Sequence, residues 1–372
     1  MSVTPRILTT RELGRATLAR QHLLRRSDLE PLPMIEHLLG LQAQAPVPPY
    51  LALWTRIRGF SADFLSELIA SRAVVRIVLM RGTIFAVSAA DAAALRPWVQ
   101  PLLDRDLDVN TAYASALAGV DRDALAAAGR DLVRDVPRSQ QELQPLLAER
   151  FPGRDPKALA HGVRGLVPMV QVPPRGLWGR SGQPRLAALD EWTGRPQAVP
   201  DPDSLLLRYL GAFGPASVRD AQAWCGLTRL DEVFERLRPR LEVFRDERGV
   251  ELFDLPDAPR PDPATPAPVR ILAPYDNVLL SHADRSRLIS DENRRRIMTQ
   301  NGIVKPAVLV GGTVAGIADL NVTKHAAALN ITPWRRLTAS NRSALETEGL
   351  RLLDFTAPTT GDHRVRFVGD DH

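Results

Sequence analysis

Val74–Val87 reads VVRIVLMRGTIFAV: two apolar, β-branched runs on either side of Arg81-Gly82. Such runs favour strands, and the glycine supplies the positive φ that a tight hairpin turn demands. The same plan recurs twice. Pro168–Trp178, PMVQVPPRGLW, carries Arg175-Gly176 at its expected turn, and Leu241–Leu252, LEVFRDERGVEL, carries Arg248-Gly249. The middle copy is the least regular, because Pro173 and Pro174 have no N–H to give to a strand ladder.

Outward from each hairpin, the preceding sequence reads as helix-turn-helix. Ahead of the third, Ser217 and Asp220 open a helix through Ala221 and Trp224, Gly226 ends it, and a second runs from about Leu230 to Leu237. Ahead of the second, Ser139-Gln140-Gln141-Glu142 is a capping box leading into Leu143, Leu146 and Leu147. Pro145 should kink that helix, and another is expected over Pro156–Leu166. Ahead of the first, Pro33–Leu41 and Ala62–Ser71 read as helices. Two helices and a two-stranded wing make a winged helix, whose second helix can enter a major groove while the wing tip touches backbone. The expected fold is therefore α+β: winged helices over 1–108, 109–200 and 201–260, then a C-terminal β-containing region over 261–372. Arg81, Arg175 and Arg248 would sit at the three wing tips.

The proline-rich stretch DLPDAPRPDPATPAP, Asp254–Pro268, is an extended linker into the C-terminal region. There a strand is expected over Val269–Ala273, a hairpin over Ala307–Ala315 turning at Gly311-Gly312, a helix over Ala339–Leu353 and a strand over Val365–Val368 before an acidic tail.

Bulk properties exclude several classes. Of 48 basic residues only Lys157, Lys305 and Lys324 are lysine, so the cationic surface is made of guanidinium forks, which suit phosphate and stack on bases. Coding bias in a GC-rich genome would produce the same skew. Cys225 is the sole cysteine, so there is no disulfide framework, in keeping with a cytoplasmic location. No apolar leader follows Met1, and no run is long enough to span a membrane. The seven histidines show no zinc spacing, and neither a dinucleotide nor a P-loop fingerprint occurs, so no metal and no cofactor are expected.

Three places can carry chemistry. Gln42-Ala43-Gln44 lies between Gly40 and Pro46, which disfavours helix, and on extended chain both amides project to one side. Such a pair can hold a water; the alternative is two solvated glutamines at a helix end. Tyr275-Asp276-Asn277 with Ser281-His282-Ala283-Asp284-Arg285 and then Arg287 is either a satisfied turn network or a phosphate- and base-contacting cluster. Arg294-Arg295-Arg296 is a solvated face or a phosphate contact. The uncharged tip at Gly311-Gly312 can press into a groove or belong to core sheet. Trp54, Trp98, Trp224 and Trp334, in apolar surroundings, read as core.

Taken together, LLGLQAQAP, LMRGTIFAVSAAD, FGPASVRDAQAWCGL, LAPYDNVLLSHADRSR and VLVGGTVAG resemble the AlkZ/YcaQ-like winged-helix DNA glycosylases, over about positions 38 to 316. The resemblance implies three winged helices around a DNA-binding concavity. It makes Gln42 and Gln44 the catalytic pair, and it places the Gly311-Gly312 hairpin and the His282/Arg285 region against DNA. Gln rather than Asp at position 44 is similar to the AlkZ branch, which implies hydrolysis of bulky N7-alkylguanine and unhooking of interstrand crosslinks from genotoxic natural products. The partner would be double-stranded DNA bearing alkylated purines, bound by a monomer. The absence of a lysine near the pair in sequence favours a monofunctional enzyme. The competing expectation is a non-enzymatic winged-helix transcriptional regulator, which would ordinarily dimerise on spaced half-sites.

Overall fold

The computed structural model describes residues 5–299, 302–323 and 325–369; the acidic tail expected after Val368, Asp370 and Asp371, lies outside them. Within these residues the strands run in chain order as β1 (Ile7–Leu8), β2 (Leu41–Gln42), β3 (Val74–Val78), β4 (Ile84–Ser88), β5 (Met169–Val172), β6 (Arg185–Ala188), β7 (Glu242–Asp246), β8 (Glu251–Asp254), β9 (Arg270–Ile271), β10 (Ala307–Val310), β11 (Thr313–Val322), β12 (Ala327–Pro333) and β13 (His363–Phe367). They form three sheets, of order β2-β4-β3-β5-β6, β1-β7-β8 and β13-β12-β11-β10-β9, among helices, so the class is α+β. No helix among the described residues is long and apolar enough to cross a membrane.

The first hairpin forms as its sequence dictates: β3 and β4 pair antiparallel from Val74↔Ser88 to Val78↔Ile84, and Arg81 and Gly82 turn the chain at φ 56 and 68. Every residue of both strands is buried. Val75, Ile77, Phe85 and Val87 face Tyr209, Phe213 and Trp224, while Val74, Val78 and Ala86 face Leu53, Trp54 and Leu65. Fully burying such side chains contributes roughly 1.5–3 kcal/mol apiece, so this sheet is an anchor for its surroundings. The third hairpin is also as expected, with Glu242↔Asp254 to Arg245↔Glu251 paired and Gly249 at φ 81. β1 adds to it in parallel, Ile7 beside Arg245.

The second hairpin differs. The partner of β5 is not the stretch after Arg175-Gly176 but β6, with Met169↔Ala188 to Val172↔Arg185 in register. The connection therefore runs from Pro173 to Pro184, because the two prolines close off the ladder right after Val172. On its other edge β5 pairs with β3 through Arg76↔Gln171 and Ile77↔Val170, so the first two hairpins share one sheet.

Helices Pro31–His37 and Ala62–Ala70 lie close to their expected bounds, but Leu41 leaves the first one to enter β2. Gln140–Arg150 opens on the Ser139/Glu142 capping box and continues through Pro145, and Pro156–Leu166 follows. Val218–Cys225 and Asp231–Leu237 precede the third hairpin. In the C-terminal region the Gly311-Gly312 turn joins β10 to β11, and Ala339–Thr356 packs against β12 and β13.

Candidate active site

Gly40 enters β2 at φ 94, and any Cβ there would collide with Val87 and crowd the carbonyl of Ala86, so only glycine lets β2 approach β4 this closely. Leu41 and Gln42 then pair with Ala86 and Phe85, and the Ala43 N–H donates to the Ile84 carbonyl at 2.6 Å. Ala43 is fully buried in the core, Gln42 lies almost covered, and Gln44 is exposed where the chain begins to bend. The ladder ends at Gln44, whose side chain replaces the missing strand: its Oε1 accepts from the Ile84 N–H at 3.3 Å.

Three further groups fix this short segment. Asn277 lies along the outer edge of β2 and behaves as a substitute strand, its Oδ1 accepting from the Gln42 N–H at 3.3 Å and its Nδ2 donating to the Gly40 carbonyl at 2.7 Å. Asn277 is itself set by Asp276, whose carboxylate takes both terminal nitrogens of Arg56 at 2.7 and 2.8 Å with neither side chain more than 1% exposed. Arg76, on the buried strand β3, donates to the carbonyls of Ala43 at 2.9 Å and Ala45 at 3.4 Å and to Gln171. With no carboxylate beside it, burial and the like charge of Arg175 push Arg76 down to about 10. Arg81 holds the Gln42 side chain, donating to its Oε1 at 2.8 Å and to the Trp224 carbonyl at 2.5 Å. Burial, followed by the like charge of Arg285, also lowers Arg81 to about 10.

Among the described residues, neither glutamine Nε2 has a protein partner. Because the groups facing Oε1 are N–H donors in both residues, the orientation of each carboxamide follows from chemistry: oxygens inward, amino groups available. Gln44 is exposed and lines a cavity of about 340 Å³ together with Ile84, Gln140, Gln171, Arg164 and Arg175. Gln42 is 7% exposed beneath Arg81, which lines a neighbouring cavity of about 280 Å³. Arg164 belongs to both walls, so the Gln44 cavity and the one lined by Arg81, which covers Gln42, meet at one guanidinium. On the far wall of the smaller cavity His161 contacts Asp106 at 2.8 Å and stacks on Tyr113.

The other expected contact residues are scattered. Arg175 lines the Gln44 cavity, half-buried, its Nε without a partner. Arg285 is half-buried and donates to the His282 carbonyl at 3.1 Å. Arg248 is exposed and ion-paired with Asp284 and Asp246. His282 and Arg287 correct the expectation of DNA contact. His282 is 1% exposed, its Nε2 is 2.9 Å from the Phe213 carbonyl, and burial pushes its imidazole down to about 3. Arg287 is buried on the carbonyl of Pro215 and the hydroxyl of Thr17. Within LSHADRSR, Leu280, Ser281, His282 and Arg287 are buried while Ala283, Asp284 and Arg285 are half-buried and Ser286 is exposed, so its basic positions are split between core and surface. Gly312 is buried too: it packs so tightly on Arg15 that a Cβ would collide, leaving Gly311 and Thr313 as the exposed part of that turn. Arg294–Arg296 end the short Asp291–Ile297 helix, where Arg296 pairs with Glu292 and stacks on Trp334.

Sequence reasoning passed over Arg76, Arg164 and His161. Arg76 did leave a signal: it is a lone charge inside VVRIV, a strand otherwise apolar on both faces. Arg164 and His161, one helical turn apart in HGVRG, left none beyond their spacing.

A family model described as DNA glycosylase AlkZ-like matches residues 35–355. The chain is 24% identical over 139 residues to the interstrand DNA cross-link repair glycosylase of Streptomyces sahachiroi, an alignment covering 33% of this chain and 36% of that protein; it thus spans about a third of the curated relative's length. The solved structure of the Streptomyces sahachiroi DNA glycosylase AlkZ matches with a TM-score of 0.80 at 18% identity, over 97% of this chain and 100% of that one, which establishes a common fold.

Proposed function

From the premise that the chain belongs to the AlkZ-like DNA glycosylase family, we propose that it hydrolyses the N-glycosidic bond of N7-alkylguanine in duplex DNA, with Gln42 and Gln44 as its catalytic residues. The observation that carries this reading is the fixed polarity of the two carboxamides. Each Oε1 is engaged by a donor that the fold holds in place, Arg81 and the Ile84 N–H, and each Nε2 is left to a substrate or a water.

The chemistry asks for little more. An N7-alkylated guanine is a cation, so it departs without being protonated. The C1′–N9 electron pair leaves with the base and neutralises it, the oxygen of a water forms the new bond to C1′, and its proton passes to solvent. Carboxamides are not bases at neutral pH, but their N–H groups and remaining carbonyl lone pairs orient a water at low entropic cost. Arg81 holds the Gln42 carboxamide and Arg76 the backbone on either side of Gln44 without supplying a competing carboxylate nucleophile. Neither Lys157 nor Lys305 lines the two cavities, which supports a monofunctional enzyme without Schiff-base chemistry. We read the repeated hairpins as winged-helix units facing DNA in a cytoplasmic monomer. Because Gln44 is exposed, a base tethered to the opposite strand can be reached without rotating deep into the protein. The reading therefore extends to interstrand crosslinks and to protection against a genotoxic natural product.

The test is release of modified base from duplexes carrying N7-methylguanine or a bulky N7 adduct, measured in single-turnover reactions with wild type, Gln42→Ala and Gln44→Ala. Loss of one preorganised hydrogen-bonding group typically costs about 10²–10³-fold, and a loss of that order is expected of each variant. Equal release by all three proteins removes the pair from the mechanism.

A further inference from the structure

The cavity beside Gln44 is lined by guanidinium, amide, hydroxyl and apolar groups, with no acidic side chain on its wall. Gln140, Gln141, Gln171 and Gln183 supply the amides. Glu142, next along from Gln141, is turned to the Ser139 N–H and to Arg185. The positive end of the Gln140–Arg150 helix opens onto the same wall.

Two cations there are unsatisfied. Arg164 is only partly exposed, yet it makes no hydrogen bond and no ion pair among the described residues. Arg175 binds the Gly182 carbonyl through Nη1 at 3.0 Å and leaves a buried Nε with no partner. A desolvated guanidinium without an acceptor is unfavourable in the free protein. Burial accordingly lowers the pKa of Arg164, with Asp106 opposing. Asp106 offsets part of this cost for Arg164, and an external anion would offset more of it for both arginines.

We propose that this cavity is a phosphodiester site, in which Arg164 and Arg175 grip a backbone phosphate flanking the modified nucleotide. The inference rests on the reading of the chain as an enzyme of duplex DNA. Gln44 and the two arginines share a wall, so a phosphate held there lies within about one nucleotide of the sugar offered to the glutamine pair. Guanidinium and phosphate match in bidentate geometry, and the grip sets the register of the strand without reading its sequence. Arg164 is thus a positioning residue: it acts on the phosphate, and the glutamines act at C1′.

The experiment is a cycle between protein and DNA. Binding to a duplex holding a tetrahydrofuran abasic analogue is measured against salt for wild type, Arg164→Gln and Arg164→Lys. It is repeated with a single neutral methylphosphonate placed in turn at each linkage near the analogue. Removing one phosphate contact lowers the salt slope by about 1, and Arg164→Gln should show that drop while Arg164→Lys retains most of the slope. At one flanking linkage the methylphosphonate should weaken wild type about tenfold and Arg164→Gln by clearly less, since Arg175 alone then holds that phosphate. Additive losses at every linkage, or an Arg164→Gln slope equal to wild type, overturn the site. A protein that passes this cycle yet releases no base keeps the phosphate site and loses the glycosylase reading; one that releases base and fails the cycle does the reverse.

Discussion

Replacing Asn277 by alanine deletes both side-chain hydrogen bonds that flank β2 and leaves the Gly40 carbonyl and the Gln42 N–H, both buried, without partners. An orphaned buried polar group costs about 1–3 kcal/mol, so the pair is expected to cost about 2–6 kcal/mol. Unfolding entropy near 2.1 cal/mol/K per residue gives roughly 0.8 kcal/mol/K for a chain of this length, which converts the loss to a fall in Tm of about 3–8 °C. The effect on chemistry should be larger in proportion. Asn277 holds the residue whose carboxamide Arg81 grips, and a displacement of about 1 Å at a reacting group can cost 10²-fold in rate. Single-turnover base release by Asn277→Ala, measured well below its Tm, should therefore fall by roughly 10- to 100-fold. Leu8→Ala is the control: this side chain is 2% exposed in a core cluster with Leu13, Phe244 and Leu252 that includes none of the residues around β2, and it should lose about 2–5 kcal/mol with the rate unchanged. An Asn277→Ala protein that loses stability as expected but excises base at the wild-type rate refutes the claim that this bracket serves the site.

Asp276→Asn leaves the Arg56 guanidinium, 1% exposed, without its counter-charge; breaking a buried pair in this way costs about 3–5 kcal/mol, and a calorimetric Tm within 1 °C of wild type would contradict the role given to the pair. Burial holds His282 down to about 3 and His22 down to about 4, from an ordinary 6.5. The unfolded chain therefore binds more protons below pH 6.5, and stability is complete above that value and lost as pH falls towards 4. Two such groups give a slope of up to about 2–3 kcal/mol per pH unit, so Tm should drop between pH 6.5 and 4.5; a flat profile there argues against neutral burial of these rings. Arg81→Asn should keep the turn, because asparagine tolerates the left-handed backbone at φ 56, while freeing Gln42. Base release is expected to fall at least about tenfold with Tm changed by under about 2 °C, and an unaltered rate would show that the Arg81–Gln42 contact is incidental.

Hairpins governed by local rules were legible in the sequence. Arg81-Gly82 and Arg248-Gly249 turn where glycine and flanking β-branched residues say they must, and the Gly311-Gly312 turn does too. The second hairpin was misjudged because Arg175-Gly176 looks like the other two turns, whereas the strand partner of β5 lies beyond a connection whose course depends on tertiary contacts. The glutamine pair was visible because Gly40 and Pro46 disfavour helix around it. Its supports were not. Asn277 and Gln42 are 235 residues apart, and Arg76 meets Ala43 only because β3 and β2 flank the same strand. His282 shows the converse failure. In sequence it is one more polar residue in a basic stretch, and only the packing of Phe213 above it reveals an interior group.

The ladder between β3 and β5 has a practical corollary for anyone building chimeras of this protein. A graft that cuts between the first two hairpins strips a central strand of its hydrogen-bonding neighbour and creates a raw edge prone to self-association. Residues 41–188 must therefore be transplanted whole, and the natural seam for exchanging parts falls in the coil after Gly194, ahead of the Pro202–Phe213 helix.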